Sequence, residues 1–437
     1  MLSVRFVAMR SPMDRVLHCI ERADAETDAT ATAFLERRDA QALEDAATVD
    51  PSLPLAGEVL AVKACFDVGG WTTHAGSAVL AGAAPAVRDA PMVRALRSAG
   101  AILLAQTNMT EFAYGALGLN STYGTPITPL LPDEKRVAGG STSGGAVAVS
   151  IGAADIALGS DTSGSIRIPA AFCGVAGFKP SQGRYPAEGM IPLARSFDAP
   201  GFITSTVADL RRVDMVLVDR PPPDSSRSLR DIHVLVPLDA IHAGDTDPVV
   251  MDRFAQWLGV LDAAGVTVTN AELPMMTDAS LAAREGWVIA VEAFDWHRHL
   301  IAEHADLYDP RVGVRIQHGA QVLAADYVAA LRTIGACRRR YDAALEDAGA
   351  DAVVTPTVAI LPPRVEDVQT LERYLAMNTE VLRLTEYANR LDLPGVSMPG
   401  ALADRQPIGL MLTGRRGGDA LLLDLAVMCE AALADAD

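Results

Sequence analysis

Lysine is nearly absent from this chain. Of its 37 basic residues only Lys63, Lys135 and Lys179 are lysine. Genomic base composition accounts for a general preference for arginine, so each lysine kept against it raises the question of what arginine could not do there. Basic residues are also outnumbered, 37 to 55, giving a net charge of −18. No basic run offsets this. Phosphate binding needs clustered Lys and Arg, so nucleic acid and anionic membranes are excluded as main partners. Cysteine is sparse: Cys19, Cys65, Cys173, Cys337 and Cys429 are odd in number and show no CxxC spacing. That excludes a disulfide framework and a cysteine-built metal site, and it points to free thiols in a reducing compartment. No window approaches the roughly 18 apolar residues of a membrane span. The stretch Met1 to Pro12 carries two arginines and no apolar run of signal-peptide length. The expected location is the cytoplasm. Aromatics make up only 5% of residues, which argues against a large aromatic cage.

Half of the residues are hydrophobic and 21% charged, enough for a large core. One pattern recurs three times: a helix-like segment, a glycine, then a short apolar run. It occurs at Met92–Ser98, Gly100 and Ala101–Ala105; at Val249–Ala264, Gly265 and Val266–Val268; and at Tyr341–Ala348, Gly349 and Asp351–Val354. Glycine in the left-handed conformation is a favoured helix stop, and Asp-Pro or Asp-x-Pro at Asp247 and Asp89 suits a helix start. Helix followed by strand predicts an α/β fold with a partly parallel sheet. The run Pro221–Ser226 reads as a linker-like seam, Leu281–Ala348 as mostly helical, and Pro394–Gly400 with Ile408–Thr413 as two strands turned by Asp404–Pro407. Ala420–Ala434 reads as a closing helix.

Two glycine-rich loops carry the chemistry, Gly139-Gly-Ser-Thr-Ser-Gly-Gly145 and Gly159-Ser-Asp-Thr-Ser-Gly-Ser165. Glycine lets backbone approach a ligand and lets successive N–H groups converge on an anion. Ile156–Gly159 reads as a strand that delivers the second loop, so Ser165 is placed as a nucleophile. The N–H groups of Thr162, Ser163, Gly164 and Ser165 are then candidate oxyanion donors. Neither a P-loop Gly-Lys-Ser/Thr nor a GxSxG elbow is present. Ser141 lies 24 residues earlier, before the small-residue helix Ala146–Ala154, and reads either as an N-cap or as a second hydroxyl of the site. Asp161 and Arg167 flank the second loop and can pair across it.

Nucleophilic serine needs a base. The eight histidines are badly placed for this: His297, His299 and His304 fall in the helical second half without glycine-rich surroundings, His18, His233 and His242 look peripheral, and His74 and His318 stay open as candidates without support. Lys63 is different, because it ends the apolar strand Val59-Leu-Ala-Val-Lys63. Burial favours neutral lysine, which can accept a proton; arginine cannot. The competing reading is a strand-end lysine reaching for solvent.

These segments, with Phe172-Cys-Gly-Val-Ala-Gly-Phe-Lys-Pro180, Gln106-Thr-Asn-Met-Thr-Glu-Phe112 and Gly409-Leu-Met-Leu-Thr-Gly-Arg415, resemble the amidase signature family. The likeness runs from about Pro54 to Val213 and resumes near Asp392–Ala426. It implies a Ser–cis-Ser–Lys triad, with Ser165 as acyl-forming nucleophile, Ser141 as bridging relay and Lys63 as base. It also implies one domain, a mixed sheet core covered by helices on both faces. Within it fall an N-terminal helical segment (1–50), a catalytic core (54–213), the seam (221–226), a variable, mostly helical pocket part (227–390) and C-terminal strands and helix (391–437). Three positions depart from the family pattern. Ala64-Cys65 stand where an acidic or amide residue is usual, Thr142 replaces a serine, and Ser163 stands where glycine or alanine is usual.

The expected activity is hydrolysis of a carboxamide or related non-peptide C–N bond through an acyl-enzyme, releasing ammonia or an amine. It requires no metal or organic cofactor. Met109, Tyr114 and Tyr123, and the segment Trp287–His299, are expected to form the pocket of a small-molecule amide. A homo-oligomer is compatible with the chain. The alternatives are the A subunit of a tRNA-dependent amidotransferase, which needs a second protein as partner, and a non-catalytic binding protein on the same fold.

Overall fold

The computed structural model describes residues 11–25, 27–218, 227–399 and 406–435. Eleven strands form one sheet: β1 (Phe34–Arg37), β2 (Val59–Lys63), β3 (Ile102–Thr107), β4 (Ile156–Asp161), β5 (Ala176–Lys179), β6 (Ala199–Thr204), β7 (His233–Pro237), β8 (Thr267–Ala271), β9 (Ala352–Pro356), β10 (Gly395–Pro399) and β11 (Gly409–Thr413). Their order is β1-β3-β2-β4-β6-β5-β10-β11-β9-β7-β8. Strand β2 runs parallel to β3 and β4, and β7 runs parallel to β8 and β9. The middle of the sheet, from β4 through β6, β5, β10 and β11 to β9, is antiparallel throughout. The sheet is therefore mixed, as expected.

Alternation along the strands explains why both faces are covered. In β4, Ile156 and Leu158 enter one apolar cluster while Ala157 enters another. In β9, Val354 and Val353 part in the same way. Successive side chains of a strand leave opposite faces, so two buried clusters require helices on both. The helices Val207–Val218, Pro248–Ala263 and Asp419–Asp435 contribute to the first cluster, and Ser143–Ser150 to the second. Interior strands such as β2, β3 and β4 are buried along their whole length, and only the edge strands β1 and β8 show exposed positions.

All three helix–glycine–strand units form. The helices Pro91–Ser98, Pro248–Ala263 and Ala324–Ala348 lead through Gly100, Gly265 and Gly349, each at positive φ, into β3, β8 and β9. Asp247 caps its helix by accepting from the Val249 N–H at 3.0 Å. Asp89 does not cap: Ala90 holds that position, and the Asp89 carboxylate instead accepts from the Gly69 N–H at 2.8 Å. The N-terminal segment is not purely helical, since Phe34–Arg37 pairs antiparallel with β3 as an edge strand. The seam 221–226 and the turn residues Asp404 and Arg405 lie outside the described residues. Among those described, no helix is long and apolar enough to cross a membrane.

Candidate active site

Three neighbouring parallel strands end together, and the site is built on their carboxyl ends, the usual place for ligands in open α/β sheets. Lys63 closes β2, Thr107 closes β3, and Ser160-Asp161 closes β4. Lys63 is fully buried and does not reach solvent. Its Nζ lies 2.8 Å from Ser141 Oγ, 2.9 Å from Ser160 Oγ and 3.3 Å from the Ser160 carbonyl oxygen. Burial lowers its pKa below the usual 10.5, and the charges of Cys65, Asp161 and Asp198 only partly oppose this. A neutral amine has two N–H donors and one lone pair. The Ser160 carbonyl can only accept, so two N–H groups on Ser160 leave the lone pair for the Ser141 hydroxyl proton.

Ser141 is not a helix cap. Thr142 occupies the N-cap of the Ser143–Ser150 helix, with no side-chain capping bond. The Gly140–Ser141 peptide is cis, as the family resemblance implied. A Cβ on Gly140 would stand 2.7 Å from the Gly118 nitrogen, so the loop has room only for glycine there. The Thr142 N–H donates to the Ser165 carbonyl at 3.1 Å, which ties the two glycine-rich loops together at their serines. The Thr142 hydroxyl points to the Ser160 carbonyl at 3.4 Å.

The second loop is wrapped around Asp161. Its Oδ1 accepts from Gly164 N–H (2.7 Å), Arg167 Nη2 (3.0 Å) and Asn389 Nδ2 (2.9 Å), and its Oδ2 from Ile166 N–H (3.0 Å) and Arg167 Nε (3.1 Å). Burial alone would raise this carboxyl; the Arg167 guanidinium outweighs that and holds it well below the usual carboxylate range. Both partners are fully buried, so the pair belongs to the site's frame and not to the surface. One expectation is corrected here. The Gly164 N–H is committed to Asp161, whereas the N–H groups of Thr162, Ser163 and Ser165 have no partner among the described residues. Gly164 itself sits at φ +137, where any side chain would collide with Thr385.

Asp161→Ala is expected to cost about 3–5 kcal/mol of folding stability, because it leaves the Arg167 guanidinium buried and unpaired. Denaturant unfolding measures this, and a loss under about 1 kcal/mol would refute the framing role. A carboxyl depressed by folding stabilises at neutral pH. That contribution fades as the pH falls through and below the ordinary carboxylate range.

Several functional neighbours escaped sequence reasoning. Ser160 supplies a polar partner to Lys63 where the Ala64-Cys65 departure had removed the usual one, and Cys65 Sγ lies 3.8 Å from Ser160 Oγ. The Ser163 departure also finds its partners. Arg390 donates Nη2 to Ser163 Oγ at 2.9 Å and Nη1 to the Thr162 carbonyl at 2.9 Å, and the Thr385 hydroxyl donates to the Ser163 carbonyl at 2.7 Å. The Glu386–Arg390 pair, spaced i,i+4 on one helical turn, was a visible signal of a helix but not of what that helix touches.

Ser165 opens onto a narrow cavity of about 40 Å³. Its wall includes Tyr114, Thr162, Ser163, Ile289, Arg315 and Asn378. Of the three pocket residues expected, Tyr114 alone lines it. Met109 is buried in the core, and Tyr123 packs against the His74 ring with centroids 4.9 Å apart. Ile289 is the one residue of Trp287–His299 in this wall. Trp287 stands over the His318 ring instead. Arg315 stacks on the Tyr114 ring, its Cζ 4.1 Å from the centroid, and donates to the Tyr114 carbonyl. No carboxylate pairs with Arg315 among the described residues. Among them, no three His, Cys, Asp or Glu side chains form a metal-binding group.

Residues 13–423 match the protein-family model for amidase. The chain is 34% identical over 406 residues to 2-amino-5-chloromuconic acid deaminase of Comamonas testosteroni, covering 90% of this chain and 86% of that one. It is 31% identical over 461 residues to the A subunit of the glutamyl-tRNA(Gln) amidotransferase of Lacticaseibacillus paracasei, covering 96% and 92%. A crystal structure of an amidase superposes with a TM-score of 0.86 at 32% identity, covering 97% of this chain and 96% of that one. Fold and relatives together define an enzyme that hydrolyses carbon–nitrogen bonds other than peptide bonds. The chain belongs to the amidase family.

Proposed function

We propose that this enzyme hydrolyses a small amide that also carries a carboxylate, with Ser165 as nucleophile, Ser141 as proton relay and Lys63 as base. Ser165 attacks the amide carbonyl while its proton passes to Ser141 and the Ser141 proton passes to Lys63. The resulting oxyanion meets the N–H groups of Thr162, Ser163 and Ser165. Collapse returns a proton through the same chain to the departing nitrogen, and water then releases the acid from Ser165. Five free, buried cysteines favour a reducing compartment such as the cytoplasm.

The observation that carries the substrate class is Arg315, a guanidinium in the wall of the Ser165 cavity that has no carboxylate partner among the described residues. Asn378 lines the same wall, its side-chain Oδ1 already accepting from the Ala116 N–H at 2.8 Å. At about 40 Å³ the cavity is well under the usual size of ligand sites, which favours a small substrate. The acid named in the Comamonas relative agrees with an anionic substrate. The test compares succinamate with butyramide, which replaces the carboxylate by a methyl group. Wild type is expected to favour succinamate in kcat/KM by about 10–100-fold, the worth of one hydrogen bond to a charged group, and Arg315→Met to erase that preference. An Arg315→Met enzyme that still prefers succinamate refutes the reading.

A second reading, as the A subunit of an amidotransferase, is favoured by the 31% identity to the Lacticaseibacillus protein. It expects glutamine hydrolysis only when a second protein is added as partner. Turnover of succinamate by the isolated chain decides against it.

A further inference from the structure

We propose that Glu111, which no step of the chemistry uses, is the positioning residue that fixes Arg315 in the substrate cavity. The inference rests on the reading of Arg315 given above.

Glu111 is buried, 2% exposed, and its two carboxylate oxygens serve two different parts of the chain. Oε1 accepts from the Ser77 hydroxyl at 2.7 Å, and Oε2 accepts from the Asp309 N–H at 2.8 Å, 198 residues away. Asp309 is the N-cap of the helix Pro310–His318, its Oδ1 accepting from the Arg311 N–H at 2.9 Å. The Ser121 hydroxyl reaches Asp309 Oδ2 at 2.8 Å, and the Arg311 guanidinium grips both oxygens. The start of the helix is thus held at a fixed point, and Arg315 lies about a turn and a half along it. From there Arg315 donates to the Tyr114 carbonyl, and the Tyr114 N–H donates back to the Glu111 carbonyl at 3.0 Å. The connections close a ring: Glu111 side chain, Asp309, helix, Arg315, Tyr114, Glu111 backbone.

The segment inside that ring is also under strain. Phe112 and Ala113, directly after Glu111, both have left-handed backbones, at φ +47 and +59. Non-glycine residues hold such conformations only where their surroundings over-determine them, and these two lead straight into the cavity wall at Ala113–Ala116. Burying a carboxylate here also has a cost: desolvation pushes Glu111 up to about 7, against the pull of its two hydrogen bonds. The geometry gives that cost a purpose. One carboxylate sets the height of both the segment 112–116 and the helix Pro310–His318, which meet at Tyr114 and Arg315 in the cavity wall.

A glutamine can make the same two contacts, its carbonyl accepting from Asp309 and its amide donating to Ser77; an alanine can make neither. Glu111→Ala is therefore expected to raise KM for succinamate about tenfold with kcat nearly unchanged, and to leave butyramide turnover near wild type. Glu111→Gln is expected to restore the wild-type KM. If the alanine variant does not fold, Glu111→Asp, one methylene too short to span both partners, is held to the same criteria. Equal loss on both substrates, or a glutamine variant as impaired as alanine, overturns the inference. A Glu111→Ala enzyme that keeps the succinamate preference overturns it while leaving the reading of Arg315 intact. Wild type without that preference overturns both.

Discussion

Ser165→Ala is expected to lower kcat by on the order of 10⁴-fold or more and to abolish labelling by a fluorophosphonate probe. The proposed route makes one covalent bond to protein, and of the hydroxyls in the cavity wall Thr162 and Ser163 are engaged by Asp198 and Arg390, while Ser165 has no side-chain partner among the described residues. Removing a nucleophile from a triad disables the whole unit, leaving the residual rate from binding and oxyanion stabilisation. Mass spectrometry of the wild-type adduct locates the label. Labelling that persists in Ser165→Ala, or that maps to Ser141, would reverse the roles proposed for the two serines. Ser141 is the poorer nucleophile candidate on geometry, being fully buried and engaged by Lys63.

Lys63→Ala is expected to lower kcat by about 10³–10⁴-fold, the span of general-base catalysis, and Lys63→Arg to recover none of it. Arginine retains the positive charge and the reach, but it cannot be deprotonated in a protein and so offers no lone pair to Ser141. Full activity in the arginine variant would refute the neutral-base role. The pH profile gives an independent check. Burial lowers the Lys63 pKa, so the neutral form that the proposal requires extends below the 10.5 of a free lysine. Activity should therefore rise with pH along an acidic limb lying below that value, since protonation of Lys63 removes the base. A limb near 10.5 would mean that burial does not tune this lysine.

Much of this was legible in the chain because it is local. A helix, a left-handed glycine and an apolar run adjoin in sequence, so Gly100, Gly265 and Gly349 announced three of the crossovers. The burial of Lys63 was legible for a related reason: a lysine ending an apolar strand is desolvated wherever that strand packs. Cap assignments were less secure. Asp89 had the right neighbours for a cap, yet its carboxylate was drawn away to Gly69 by a contact 20 residues distant. The pocket was least legible, and Met109 and Tyr123 show why. Nearness in sequence to an active loop does not decide which way a side chain faces.

The sequence by itself determined the elements, the two serine loops, the buried lysine and the family likeness that joined them. Tertiary structure alone decided which groups surround them. Ser160 bonds Lys63 across 97 residues, Arg390 and Thr385 hold the loop at Thr162-Ser163 from more than 220 residues away, and Arg315 reaches Tyr114 across 201. Hydrogen bonding and burial act over a few ångströms of space and carry no trace of sequence separation. The packing of strands and helices into one body brings Asn389 onto the Asp161 carboxylate from 228 residues away, and gives Arg315 a place in the cavity wall with Ser165.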